Sequence, residues 1–118
     1  MAELEINGDK LVVHIRGVDK FLALASRLEI SLRHISSVEI NPSEAHNVWH
    51  GLRMGGTNLP GVITAGRFLQ DGQWAFWDVH DPSKSVAIYL HDDSYARLVI
   101  GVEDPAAASE MIRKALGG

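Results

Sequence analysis

This chain contains no cysteine, which excludes disulfide bonds, thiol catalysis and thiolate metal sites. It is also short of positive charge: 11 Lys and Arg stand against 15 Asp and Glu, a formal net charge of -4. That balance argues against a nucleic-acid footprint, which gathers Lys and Arg into a basic patch. It argues equally against purely electrostatic binding to anionic lipid. No apolar run approaches the ~20 residues that a membrane-spanning helix needs. The first residues, Met1-Ala2-Glu3-Leu4-Glu5, lack a basic-then-apolar leader, from which a cytoplasmic location is expected.

What is present fits a single domain over residues 1–118. A chain of this size buries roughly two-thirds of its unfolded surface on folding, enough for one core. Leu4-Glu5-Ile6 and Leu11 to Arg16 flank Asn7-Gly8, a pair that supplies the positive φ angles of a tight turn. A β-hairpin or a kinked first strand is expected there. Val18, Phe21, Leu22 and Ala25 then follow at helical spacing and predict a short helix. Strand alternation returns in Leu28 to Leu32 and in Val38 to Asn41. A second short helix is predicted after Pro42, with Ser43 as N-cap and Ala45, Val48, Trp49 and Leu52 on one face. Gly55-Gly56 reads as its stop, and Met54 to Gly61 as the most loop-like stretch of the chain.

The last third is the most legible part. Four strands are predicted at Val62–Leu69, Trp74–His80, Ser85–His91 and Tyr95–Val102, separated by Asp-Gly, Asp-Pro and Asp-Asp-Ser turns. Their even spacing reads as an antiparallel meander. Gly66, inside the first of them, hints at a bulge. Asp104-Pro105 then caps a helix whose Ala108, Met111, Ile112, Ala115 and Leu116 form one stripe, closed by Arg113, Lys114 and Gly117.

The layout resembles the bacterial kind of pleckstrin-homology-like (PH-like) domain. The resemblance is carried by Asn58 to Phe68, by Phe76-Trp77, and by Tyr95 to Ile100 leading into Glu103-Asp104-Pro105. It implies a mainly β (α+β) fold: a barrel of about seven antiparallel strands in two near-orthogonal sheets, capped by the C-terminal helix. It also implies an interaction module of the bacterial cytoplasm rather than an enzyme. Phosphoinositide-binding relatives carry a basic cluster near the first strand. Here only Lys10, Arg16 and Lys20 stand there, diluted by Asp9 and Asp19, so no lipid site is carried over.

Candidate chemistry is sparse. His46, His50 and Arg53 share a face of the second predicted helix, and two histidines at i, i+4 can reach one divalent ion. Zinc needs a third protein ligand that the spacing does not supply, and Asn47 stands where a metalloprotease glutamate would. A solvated polar face is the competing reading. Asp78, His80 and Asp81, with His91, Asp92 and Asp93 one strand later, read mainly as turn chemistry. Ser85 is the nearby nucleophile candidate, without a Gly-x-Ser-x-Gly elbow. No cofactor is expected.

The aromatic strand carries the leading expectation. Alternation sets Trp74 and Phe76 on one face of it and Trp77 on the other, so at least one large ring is expected outside the core, either covered by the C-terminal helix or a loop or left exposed for a partner. With Asn58, Arg67 and Arg53 nearby, Trp74 and Trp77 mark the surface expected to bind an unidentified protein partner or a second copy in a homo-oligomer. Binding of a small ligand or lipid headgroup at the open barrel end is the alternative, and a metal-dependent enzyme the least favoured.

Overall fold

The computed structural model describes residues 2–17, 26–42, 52–59, 63–70 and 72–117, with 52–59, 63, 64 and 70 described by their backbone alone. Nine strands and one α-helix are found among them. Three strands, β1 (Ala2–Asn7), β2 (Lys10–Ile15) and β3 (Arg27–Ser31), form one antiparallel sheet in that order. A turn of 3-10 helix, Leu32–His34, makes the corner into the second sheet. That sheet has six strands in the order β4-β8-β9-β7-β6-β5, where β4 is Ile35–Ile40, β5 Leu52–Leu59, β6 Ile63–Gln70, β7 Gln73–Val79, β8 Ser85–Leu90 and β9 Arg97–Gly101. The helix α1, Pro105–Ala115, packs on β4, β1 and β8.

Local chemistry explains the parts that form where the sequence placed them. Asn7-Gly8 closes the β1–β2 hairpin, with Asn7 opposite Lys10 and Gly8 at φ 63°. The Asp104 carboxylate accepts the Ala107 N–H at 3.0 Å, with Pro105 in the first turn of α1. Ile112 is fully buried at the centre of the helix stripe, whereas Leu116 at its end is exposed.

Three expectations give way. The sheets are open rather than closed into a barrel, and nine strands rather than about seven stand among the described residues. The expected β1–β2 hairpin forms, while β5 occupies much of the stretch read as a loop. Glycine content misled there: β5 carries Gly55-Gly56 at a bulge, two residues set against Gly66 between the Met54–Arg67 and Thr57–Ala65 pairs. Gly66 sits at φ 124°, which a side chain would oppose. The meander also breaks. β7 does not pair with β8. It pairs in parallel with β9, which is inserted between them and runs antiparallel to β8. The predicted helices at 18–25 and 43–51 lie outside the described residues, and Leu52 begins a strand.

The middle strands of the six-stranded sheet, β7, β8 and β9, are buried on both faces. The sheet's inner face, with Ala65, Phe76, Val86, Ile88, Leu98 and Ile100, packs against Leu11, Val13, Ile15 and Ile30 of the small sheet and against Ile112. Its outer face carries a second cluster of Phe68, Ala75, Trp77, Val79, Ala87 and Val99. The outer face of the small sheet is charged, with Glu3–Arg16, Glu5–His14 and Lys10–Glu29 in cross-strand pairs.

Candidate functional site

The two tryptophans of β7 have opposite fates. Trp77 is fully buried, its ring edge-on to Phe68 at 6.2 Å between centroids. Its cross-strand neighbour on β6 is Gly66, so no side chain there contests the space. The expectation that Trp77 offers a partner surface is therefore corrected: a large ring on each face of β7 is possible because both faces are covered.

Trp74 lies one turn of the pleat before Phe76, on the inner face, where the sheet runs out beyond its core. There it is half-buried. Arg67, next to Gly66 on β6, sets its guanidinium carbon 5.9 Å from the Trp74 ring centroid. Tyr95 packs against Phe76 from the other side, ring centroids 5.9 Å apart. Trp74 and Tyr95 line a cleft of about 420 Å³ with Gly72, Gln73 and the segment Leu90 to Ala96. The cleft thus sits at the end of the inner face, between the β6–β7 turn and the β8–β9 loop.

That loop is held by contacts between residues that no local pattern joins. His34 Nδ1 stands 3.0 Å from Asp93 Oδ2, and the His91 N–H donates to the His34 carbonyl at 2.9 Å. The two imidazole rings are 6.1 Å apart and tilted. Asp93 Oδ1 accepts the Ser94 N–H, and His91 Nδ1 stands 3.0 Å from Asp92 Oδ2. The hydrogen bond from His91, reinforced by its charge, holds the Asp92 carboxyl below its usual range. Burial pushes the Tyr95 hydroxyl up, against the pull of Arg67.

The other candidates resolve differently. Asp81 Oδ1 accepts both the N–H and the hydroxyl of Ser83, as turn chemistry requires. Ser85 is buried and its hydroxyl donates to the Pro82 carbonyl at 2.7 Å, a structural bond. Asp78 is buried within β7, opposite Ile100 of β9, whereas the His91 group lies in the loop after β8. Arg53 and Asn58 lie on β5, at the sheet edge two strands from β7, with their backbone alone described. His46 and His50 lie outside the described residues. Among the described residues no group of three or more His, Asp or Glu is placed to hold a metal ion, and no helix is long and apolar enough to cross a membrane. No family model matches the chain, and neither does any curated protein or solved structure.

Proposed function

We propose that this protein is a non-enzymatic interaction module that binds a protein partner, or a second copy of itself, through the aromatic cleft at the end of the inner face. The observation that carries this reading is the half-buried Trp74, set beside Tyr95 in a cleft of about 420 Å³ rather than covered by the core. Tryptophan and tyrosine are the residues that most often anchor interfaces, because they offer a large rigid apolar surface with a polar tip. Support for a non-enzymatic role comes from Ser85, whose hydroxyl is buried and committed to Pro82. The reading takes the chain as a PH-like module in the coarse sense of two sheets with one C-terminal helix. The parallel β7–β9 pair is a feature of this chain's own topology.

A small ligand in the same cleft is the second reading, favoured by a volume within the range of small-molecule sites. An anionic lipid headgroup fits poorly, because the charged side chains lining the cleft are Asp92 and Asp93.

Sedimentation velocity of the wild-type chain, alone and with candidate partners, tests the reading against Trp74→Ala. Loss of association in a variant that keeps its fold supports it. Unchanged association excludes the cleft as the contact.

A further inference from the structure

We propose that the cleft accepts a basic side chain, a guanidinium or ammonium, presented by the protein partner. The proposal rests on the interaction reading above and names the chemistry of its contact. Two carboxylates, Asp92 and Asp93, stand in the lining, and no Lys or Arg does among the described residues. They differ in what they have left to offer. Both oxygens of Asp93 are taken, one facing His34 and one accepting from Ser94. Asp92 gives one oxygen to His91 and stands 86% exposed at the rim, its other oxygen open to a donor. An exposed carboxylate is ionised at neutral pH, and the bond from His91 lowers the Asp92 titration further.

The rings supply the second half of the site. A lysine or arginine side chain is amphipathic: its alkyl stem packs on apolar surface while its head seeks a carboxylate. Trp74 and Tyr95 offer that surface beside Asp92. Arg67 already stacks on the indole of Trp74. Its charge turns an incoming cation away from the indole and toward Asp92, at the acidic side of the cleft.

The test is a titration of the ¹⁵N-labelled full chain with N-acetyl-arginine methylamide, with N-acetyl-glutamine methylamide as the uncharged match and choline as a free small cation. The arginine probe should move the Trp74 indole N–H and the Ser94 and Tyr95 amides saturably, and the glutamine probe should not. Asp92→Asn should weaken the arginine probe about two- to five-fold, the range an exposed charge pair supplies. Asn adopts the positive φ that Asp92 holds at 55°, so the loop survives the change. Silence of those groups toward the arginine probe, an equal response to glutamine, or undiminished binding by Asp92→Asn would each overturn the proposal. Choline binding more tightly than the arginine probe would overturn the assignment to a partner side chain. If the arginine preference fails while Trp74→Ala still abolishes association, the cation chemistry falls and the interaction reading stands. If both fail, both fall.

Discussion

His34, in the corner between the two sheets, is bonded to Asp93, in the loop after β8, at 3.0 Å across 59 residues of sequence. The contact ties the sheet-switching corner to the wall of the cleft. Removing either partner should loosen the loop that carries Asp92, Ser94 and Tyr95. A part-buried bond of this kind contributes about 1 kcal/mol. A double-mutant cycle with His34→Ala and Asp93→Ala, read by denaturant unfolding, should give a coupling of that order. Additive single-mutant effects would show that the two residues are held independently.

The two tryptophans of β7 should respond oppositely to truncation. Trp77→Ala removes a fully buried ring and should cost about 3–5 kcal/mol of stability. Trp74→Ala removes a half-buried one and should cost about 1 kcal/mol, roughly half of a full transfer. Fluorescence reads the same contrast without unfolding. In a Trp49→Phe background, iodide should quench Trp74 in the Trp77→Phe variant and spare Trp77 in the Trp74→Phe variant. Equal quenching would contradict the burial of Trp77.

Gly66 should not tolerate a side chain. Its φ of 124° lies where an L-residue is strained, and Trp77 stands opposite it across the β6–β7 pair. Gly66→Ala should cost about 1–3 kcal/mol. Thermal unfolding of the variant checks this, and an unchanged midpoint would contradict the bulge geometry.

Asp92 gives a pH signature of fixed sign. Its carboxyl titrates below its ordinary 3.8 in the folded chain because His91 bonds and faces it. A lowered folded value means the contribution is present above that ordinary value and is lost as pH falls through the folded one. His91→Gln should therefore raise the Asp92 midpoint toward 3.8 in a carboxyl-detected NMR titration. Tyr95 runs the other way. Its raised value delays ionisation beyond 10.0, so stability is full below that pH and declines as pH rises above it. An Asp92 midpoint unmoved by His91→Gln would show that the bond does not form in solution.

What could be read in the sequence was what neighbouring residues decide among themselves. Asn7-Gly8 makes its own turn, Asp81 bonds Ser83 two residues on, and Asp104 caps the helix it precedes. These need no information from the rest of the chain. The features that build the cleft depend on distant partners. Nothing in the Trp74–Val79 segment says that β9, rather than β8, will lie beside it. His34 carries no local sign that Asp93 will meet it. Gly55-Gly56 looked like a helix stop and a loop, because a bulge is defined by the strand opposite. Trp77 looked exposable because alternation sorts residues onto two faces but does not say whether both are covered.

The most direct measurement is site-specific photo-crosslinking inside source cells. A photoreactive residue would replace Gln73, exposed at the cleft, and Lys84, exposed in the β7–β8 turn away from it. The account expects a discrete adduct from position 73 that is absent from position 84 and disappears when Trp74→Ala is added. The same adducts from both positions, or adducts indifferent to Trp74→Ala, would contradict it.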